Sequence, residues 1–280
     1  MTILITGGTG KTGTVLAKKL HDAGHSVLLA SRSGSAPEHL KGVKFDWFDP
    51  STFENPFNAD GGIDKVYLLG PRTTDVLAAL KPFIDLAVSK GVKRFVLLSA
   101  TSLPKGGHAT GKVHEYLDGL KGIDYGVLRP TWFFENFETT LLQSIRDKDE
   151  LVTATQDGKV PLIAVDDITD VAFDLLTTAK IENPDVLIVG PDLLTYDQAA
   201  EILSGALGRK INHRKITGPE LAQVWKSYGA PDDLANMLVS LNVAVAEGKE
   251  EKVVEAENKY VGKLHLVDWV EQRKYIWNKA

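Results

Sequence analysis

The sequence contains 280 residues, of which 43% are hydrophobic, and its formal net charge at pH 7 is −5. This size and composition allow one α/β domain with an appended lobe, and the lack of a basic tract argues against nucleic acid as a partner. Because cysteine is absent, disulfides, thiolate nucleophiles and cysteine metal sites are excluded. The chain has no apolar run long enough to span a membrane and opens on a predicted strand without a signal-peptide pattern, so we expect a cytoplasmic protein with no membrane partner.

Short apolar runs alternate with helix-length segments in the first half of the chain. The runs that we interpret as buried strands span residues 3–5, 27–29, 43–45, 66–69, 95–98 and 125–128. Continuous apolar runs of this kind are typical of parallel strands that are covered on both faces. The amphipathic stretches between them, such as residues 12–23 and 74–90, are predicted helices. Repeated strand–helix alternation indicates a doubly wound sheet.

The pattern changes in the second half of the chain. Residues 160–165 and 186–189 are candidate further strands, and the chain from Tyr196 onward is mostly helical, including residues 221–228, 234–246 and 266–276. We therefore predict an α/β fold in two parts. Residues 1–150 form a Rossmann-type doubly wound parallel sheet, and residues 151–280 form a smaller, mostly helical C-terminal substrate lobe that is partly interleaved with the sheet.

A glycine-rich segment follows the first predicted strand directly. Its residues are Gly7, Gly8, Thr9, Gly10, Lys11, Thr12 and Gly13. Gly7, Gly10 and Gly13 satisfy G-x-x-G-x-x-G, and with Gly8 in first place the segment satisfies G-x-G-x-x-G. Either spacing supplies a tight turn and a close backbone approach to a pyrophosphate, while the next helix offers unpaired amides at its N-terminus. A P-loop is disfavoured because Ile5 stands where its first glycine would be.

The second predicted strand ends in Ser31, Arg32 and Ser33. NAD-specific folds place an acidic residue there to bind the ribose 2′-hydroxyl, and this chain has none. The planar guanidinium of Arg32 suits a 2′-phosphate, and the serines offer flanking hydroxyl groups. The alternative is a solvated surface arginine. The offset of Arg32 from the glycine segment favours NADPH over NADH as the cofactor.

Three further loops follow predicted strands at the edge where such sheets bind ligands. We predict that they contact the cofactor through Asp46 and Trp47, through Leu69, Gly70 and Pro71, and through Ser99, Ala100 and Thr101. No metal site emerges, since none of the seven histidines forms His-x-x-x-His on a predicted helix or His-Glu-x-x-His.

Two longer segments complete a family pattern, namely GVKRFVLLSA at residues 91–100 and LRPTWFFENF at residues 128–137. Together with the glycine segment, residues 31–33 and residues 45–47, they resemble the NmrA-like atypical short-chain dehydrogenases, and more narrowly the fungal ergot-alkaloid reductases of the festuclavine and agroclavine dehydrogenase type. The resemblance is strongest over residues 2–180. It implies an NADPH-dependent enzyme that reduces an iminium carbon in indole-alkaloid biosynthesis. The family also includes NADP-binding sensors without catalysis and enzymes that use the cofactor in ring-forming steps.

Neither tyrosine near the fifth and sixth strands belongs to the Tyr-x-x-x-Lys pair of ordinary short-chain dehydrogenases, because Leu120 follows Tyr116 and Arg129 follows Tyr125 at that spacing. Reduction of a ketone produces an alkoxide that needs a proton donor. Hydride addition to an iminium carbon neutralises the nitrogen and needs none. The absence therefore fits an iminium reductase, and it fits a non-catalytic sensor equally well.

Three residues are candidates for orienting or protonating a substrate. Glu115 lies on the helix after the fifth strand, with His114 as the alternative candidate. The non-catalytic interpretation of Glu115 is an exposed charge on a helix. Arg129 precedes Pro130 at the end of the sixth strand, where it could equally form a strand-end salt bridge. Asp166 and Asp167 begin a predicted helix, so one of them is expected to cap it while the other points into the crevice. In the alkaloid reductases the position of Asp166 is often apolar, and an acid there favours a step that also moves a proton.

Aromatic residues cluster after the sixth strand. We predict that Pro130, Trp132 and Phe133 contact the cofactor, and that Phe137, Trp225 and Tyr228 bind the substrate, with a place in the core as the alternative. The resulting hypothesis is an NADP(H)-dependent reductase acting on a small-molecule indole alkaloid. One alternative is a redox-coupled cyclase or cycloaddition enzyme in which Asp166 shuttles the proton. The other is an NADP(H)-sensing regulator without catalysis.

Overall fold

The structure is a computed structural model that describes residues 1–279. Its strands are β1 (Thr2–Thr6), β2 (Ser26–Ser31), β3 (Lys41–Lys44), β4 (Ile63–Leu68), β5 (Arg94–Leu98), β6 (Asp124–Pro130), β7 (Glu150–Thr153), β8 (Lys159–Val160), β9 (Asp185–Val189), β10 (Leu194–Thr195), β11 (Asn212–Lys215) and β12 (Lys259–Val261). Its α-helices are α1 (Lys11–Asp22), α2 (Asn55–Ala59), α3 (Val76–Ser89), α4 (Thr110–Asp118), α5 (Leu142–Lys148), α6 (Val165–Thr177), α7 (Tyr196–Leu207), α8 (Gly218–Ser227), α9 (Asp232–Ala246) and α10 (Leu266–Arg273).

The chain forms two units that are interleaved along the sequence. The first unit consists of Met1–Arg129 and Ile168–Val186. The second consists of Pro130–Asp167 and the residues from Leu187 onward. The sequence suggested a boundary at residue 150. In the structure, the first segment of the first unit ends at Arg129, and its second segment, Ile168–Val186, contains most of α6.

The first unit is built on parallel strands in the order β3-β2-β1-β4-β5-β6. Ile3 pairs with Val27 on one side and with Lys65 on the other, so β1 lies between β2 and β4. All five residues of β1 are buried, as expected for a strand that is covered on both faces. Two further strands of the eight-stranded main sheet, β9 and β12, pair in parallel. The prediction of a doubly wound parallel α/β fold is confirmed.

The carbonyl groups at the C-terminus of helix α6 accept hydrogen bonds from basic residues of β4 and β5. The buried guanidinium of Arg94 donates to the carbonyl oxygens of Leu175 at 3.0 Å and Thr178 at 2.6 Å. It also pairs with Asp124 at 2.5 Å, and Lys65 donates to the carbonyl of Leu176 at 2.7 Å. These contacts place cations at the negative end of the helix dipole and satisfy carbonyls that the helix itself leaves unpaired.

The second unit is mainly helical. Its small sheets pair β7 with β11 in parallel and β8 with β10 in antiparallel orientation. Thr195 and Thr217 are the N-cap residues of α7 and α8, and each forms a capping box, with Gln198 and Glu220 respectively. The aromatic residues of its core include Phe134, Phe137, Tyr196, Trp269 and Trp277.

Two local predictions differ from the structure. Of the candidate strand at residues 160–165, only Val160 belongs to a strand, because Pro161 lacks the amide that would continue the ladder. The next helix begins at Val165, so Asp166 and Asp167 lie within its first turn rather than before it. Among the described residues, no helix has both the length and the apolar character needed to cross a membrane.

Candidate functional site

The glycine segment after β1 forms a turn in which side chains do not fit. Gly7 has a φ of +63°, a left-handed conformation that favours glycine. A Cβ on Gly7 would lie 2.5 Å from Cδ2 of Leu69, and a Cβ on Gly13 would lie 2.5 Å from the carbonyl oxygen of Gly7. The amide of Gly10 donates to the same oxygen at 2.8 Å. The bare backbone of this turn is the cradle that a pyrophosphate requires.

Helix α1 begins within this turn, and its N-cap residue has no side chain that could cap it. Gly10 is its N-cap residue, and its first turn contains no acidic residue. Thr12 is buried and accepts a hydrogen bond from the hydroxyl of Tyr67 at 3.0 Å, whereas Thr9 is exposed and Lys11 is half-buried. The positive end of the helix dipole therefore carries no competing carboxylate, which suits an anionic ligand.

The end of β2 has the features expected for 2′-phosphate recognition. Arg32 is exposed and makes no hydrogen bond or ion pair with any described residue. Ser31 is buried, and its hydroxyl lies 3.4 Å from that of Ser33. In the neighbouring β3 loop, the Asp46 carboxylate accepts from the amide of Phe48 at 3.0 Å and does not pair with Arg32.

The loops after β3 and β4 are joined to each other and to β1. The indole Nε1 of Trp47 donates to the carbonyl of Leu69 at 3.0 Å. The Trp47 ring packs edge-on against the Phe45 ring, with 4.8 Å between the ring centroids. The amide of Leu69 donates to Oγ1 of Thr6 at 2.8 Å. Gly70 and Pro71 follow Leu69 at the carboxyl end of β4 and are half-buried. The predicted cofactor loops of β1, β3 and β4 are thus connected by direct contacts.

The loop after β5 is held by Arg129. This side chain donates to the carbonyls of Ala100 at 3.3 Å and Thr101 at 2.7 Å, and it pairs with Asp185 at 3.0 Å. At the start of the same loop, the hydroxyl of Ser99 lies 2.7 Å from that of Thr110, the first residue of α4. Arg129 is therefore committed to contacts within the first unit, as the salt-bridge interpretation of the sequence anticipated.

Helix α4 separates its two candidate residues. Glu115 is exposed and borders a surface groove that is also lined by Leu77, Lys112 and Tyr116. His114 is buried, its Nδ1 has no hydrogen-bond partner among the described residues, and burial lowers its pKa. An acid–base role for Glu115 stays a prediction, and its surroundings are those of a solvated helix charge.

The segment after β6 divides between core and partly exposed positions. Phe137 is 1% exposed and packs in the core of the second unit, and its carbonyl accepts from Nε1 of Trp277 at 3.0 Å. The structure thus assigns Phe137 to the core rather than to the surface of a pocket. Pro130 is also buried, whereas Trp132 and Phe133 are half-buried. Their predicted contacts with the cofactor stay predictions.

The two acids at the start of α6 have different surroundings. Asp167 is buried and accepts from the amides of Lys263 at 3.0 Å and Leu264 at 3.2 Å. Asp166 is about half-exposed, and its carboxylate lies 3.8 Å from the guanidinium of Arg273. Arg273 lies at the same distance from the Glu138 carboxylate. Of the two aspartates, Asp166 is the one that a ligand of the second unit can reach.

Glu135 caps the N-terminus of α6, a role that the sequence did not indicate. Both of its carboxylate oxygens lie 3.1 Å from the amide of Val165, so a residue from outside the helix serves as the cap that was expected of an aspartate. The signal available in the sequence was an acidic residue within the aromatic run of residues 132–137, and in the structure this carboxylate is 6% exposed. Such a residue needs a fixed donor nearby.

The predicted substrate residues of α8 lie at its C-terminal end. Trp225 is half-buried in a small apolar cluster with Ile216 and Leu221, and its Nε1 is buried without a partner among the described residues. Tyr228, which ends the helix, is 69% exposed. Both have surface or hydrogen-bonding capacity left for a ligand. In the part of the chain that the structure describes, no cluster of side chains suited to a metal ion occurs.

The family of the chain follows from comparison with known proteins. A model of the NmrA-like family matches residues 1–274. The chain belongs to the NmrA-like family. An agroclavine dehydrogenase of Claviceps fusiformis is 42% identical over 99% of both chains. Festuclavine synthase II of Penicillium roqueforti is 41% identical over 99% of this NmrA-like chain and 100% of its own.

Solved structures share the fold at lower sequence identity. An NADPH-dependent quinone oxidoreductase of Escherichia coli, solved with NADPH, superimposes with a TM-score of 0.76 and is 22% identical, covering 97% of this chain and 99% of its own. A triphenylmethane reductase of Citrobacter sp., solved with NADP(H), gives a TM-score of 0.75 at 20% identity, covering 98% and 99%. At these identities the comparison supports the shared architecture alone.

Proposed function

We propose that this NmrA-like protein is an NADPH-dependent reductase that delivers hydride to an iminium or conjugated imine of a small-molecule indole alkaloid. The observation that carries the proposal is the 42% identity to an agroclavine dehydrogenase along nearly the whole of both chains. A match of this extent includes the C-terminal lobe as well as the glycine segment. It favours a related substrate class, which fold similarity alone would not do.

The first unit offers a cofactor site that fits NADPH. The turn at Gly7, Gly10 and Gly13 excludes side chains and so lets the backbone and the N-terminus of α1 hold the pyrophosphate. The unpaired guanidinium of Arg32 is available for the 2′-phosphate. When bound, NADPH supplies the hydride.

The chemistry left to the protein is orientation and charge stabilisation. Hydride addition to an iminium carbon removes a positive charge without creating an alkoxide, so a Tyr-x-x-x-Lys proton donor is unnecessary. We assign Asp166 to the substrate cation, because its carboxylate is half-exposed and its ion pair with Arg273, at 3.8 Å, is one for which a cationic ligand can compete. Arg129 acts indirectly, by fixing the loop of Ala100 and Thr101.

The first experiment titrates the protein with NADPH and NADH and follows energy transfer from tryptophan to the nicotinamide. A cyclic iminium alkaloid is then added, absorbance is followed at the nicotinamide band, and the masses of the products are measured by mass spectrometry. Oxidation of NADPH with an amine product that carries one hydrogen more than the iminium cation supports the proposal. An isomeric or cyclised product without net oxidation would replace it with the ring-forming alternative, and tight binding without any product with the sensor.

An Asp166→Asn variant separates the two enzymatic functions. The amide keeps the shape and hydrogen-bonding capacity of the side chain and loses its charge and its ability to accept a proton. For hydride transfer to an iminium, we expect a raised KM for the cationic substrate and a smaller change in kcat. A loss confined to kcat, which disappears when a pre-protonated substrate is supplied, would indicate that Asp166 shuttles a proton.

A further inference from the structure

The loop that leaves β4 is fixed against the glycine turn by three contacts of one residue. The amide of Leu69 donates to Oγ1 of Thr6, its carbonyl accepts from Nε1 of Trp47, and its side chain fills the space beside Gly7 and Gly10. A Cβ on Gly10 would lie 3.4 Å from the Leu69 side chain. The start of this loop is therefore rigidly adjacent to the turn that would hold a pyrophosphate.

A second cation without a partner follows within the same loop. Arg72 stands three residues after Leu69, is exposed, and makes no hydrogen bond or ion pair with the residues that the structure describes. The amide of Thr73 donates to the carbonyl of Pro71 at 3.0 Å, so the backbone turns tightly at Arg72. The loop thus keeps Arg72 close to the carboxyl edge of the sheet before α3 begins at Val76.

The sheet order places the two unpaired arginines on opposite sides of the glycine turn. Strand β1 lies between β2, which leads into Arg32, and β4, which leads into Arg72. A dinucleotide phosphate bound at this edge carries a 2′-phosphate and a pyrophosphate, which are separate anionic groups. Arg32 accounts for the first of them, on the β2 side. The pyrophosphate lies at the glycine turn itself, against which the β4 loop is fixed.

We propose that Arg72 is a further cofactor-binding residue, which closes over the pyrophosphate from the β4 side. This inference rests on the proposed function, since it requires that NADPH occupy the glycine turn. The guanidinium would donate to pyrophosphate oxygens through charge-assisted hydrogen bonds, which are stronger than those between neutral groups. Arg72 would then bind a group that NADPH and NADH share, whereas Arg32 binds the group that distinguishes them.

The test measures dissociation constants of NADPH and NADH for the full-length protein and for four variants. Arg72→Met should weaken the binding of both nucleotides by the same factor, about tenfold. Arg32→Met should weaken NADPH binding and leave NADH binding unchanged. The matched control is Lys121→Met, which removes an equal charge from an exposed residue between α4 and β6, at the amino-terminal edge of the sheet. It should leave both dissociation constants unchanged.

Three results would overturn the inference. If Arg72→Met binds both nucleotides as tightly as the unaltered protein, Arg72 makes no contact with the cofactor. If the variant loses affinity for NADPH alone, Arg72 binds the 2′-phosphate instead of the pyrophosphate. If the unaltered protein binds neither nucleotide, the cofactor assignment of the proposed function fails first, and this inference with it. Arg72→Lys should retain part of the affinity, because the charge remains and the paired donors are lost.

Discussion

The guanidinium Nη1 of Arg129, near the end of β6, lies 3.0 Å from Oδ2 of Asp185, at the start of β9. The same guanidinium group donates to the carbonyls of Ala100 and Thr101 in the loop after β5. One arginine thus supplies donors to three acceptors, of which the Ala100 carbonyl also accepts from the amide of Leu103 at 3.0 Å. Its main effect is to order the β5 loop, at the edge where the cofactor is proposed to bind.

Removal of this guanidinium should destabilise the fold. We expect Arg129→Met to lower the free energy of unfolding by about 2 kcal/mol, because the Thr101 carbonyl and the Asp185 carboxylate lose their donor and the Ala100 carbonyl keeps only that of Leu103. The measurement is the denaturant midpoint at unchanged m-value. Asp185→Asn, which keeps an acceptor for Arg129, should shift the midpoint less. Equal midpoints for Arg129→Met and the unaltered protein would show that the pair contributes nothing to stability.

The glycine turn should tolerate no added methyl group. In Gly13→Ala the new Cβ would meet the Gly7 carbonyl oxygen, which cannot move without distorting the turn, so we expect a loss of about 1–3 kcal/mol of stability and a large loss of NADPH affinity. Gly205→Ala is the control, since Gly205 lies within α7 and has open space around it. That variant should gain roughly 0.5–1 kcal/mol, because alanine favours a helix interior. Thermal unfolding gives the sign of both effects, and an equal response of the two variants would contradict the steric argument.

Stability should fall on mild acidification because of buried histidines. His213 has no exposed side-chain surface, lies 3.0 Å from Asp197 and 2.7 Å from Thr153, and has Lys215 and Asp157 as further charged neighbours. Burial lowers its pKa, and the contact with Asp197 offsets this only in part. The unfolded chain titrates near the ordinary value of 6.5 and therefore takes up protons that the folded state does not. Stability should thus be full above that pH and decrease below it, toward the lowered pKa of the folded state.

Denaturant midpoints between pH 8 and pH 5.5 test this dependence, in a range where carboxyl groups contribute little. His213→Gln should be less stable throughout and less sensitive to pH. His265 provides the opposite case, because contact with Asp192 raises its pKa. His265→Gln should leave the acid-side loss in place. A midpoint that stays constant for the unaltered protein over this range would contradict the prediction.

The cap of α6 is expected to depend on one distant carboxylate. Glu135→Ala should cost about 2 kcal/mol, because the amide of Val165 and the positive end of the helix dipole lose a buried acceptor. Glu135→Gln retains one acceptor oxygen and should cost less. Asp166→Asn serves as the control within the same helix turn, and we expect its free energy of unfolding to remain within about 0.5 kcal/mol of that of the unaltered protein. Equal losses for the Glu135 and Asp166 variants would indicate that dipole charge, and not the cap, dominates.

The sequence predicted the parts of the structure that depend on local pattern. The six strands of the first unit and helices α1 and α3 lie within a few residues of their predicted bounds, because burial on both faces and amphipathic spacing are visible in short windows. The glycine turn followed from the same reasoning, since Gly7 needs a conformation that favours glycine.

The remaining contacts join residues far apart in the chain, and no local pattern encodes them. Glu135 caps a helix that begins thirty residues later, and Arg129 finds Asp185 at a separation of 56 residues. An aromatic residue such as Phe137 can line a pocket or lie in the core. Only its packing against α7 and the C-terminal turn shows that it lies in the core. For Glu115, one residue of register along α4 separates a buried face from a solvated one.

The interleaved path of the chain has a consequence for its synthesis. Arg94 leaves the ribosome long before the carbonyls of Leu175 and Thr178, which lie 81 and 84 residues later. At translation rates of about 5–20 residues per second, the delay is on the order of ten seconds. During that time, residues 130–167 of the second unit must emerge while the first unit lacks α6. A nascent chain stalled before residue 180 should therefore be cut readily by protease within residues 1–129, whereas these residues should resist protease once residues 168–186 have emerged.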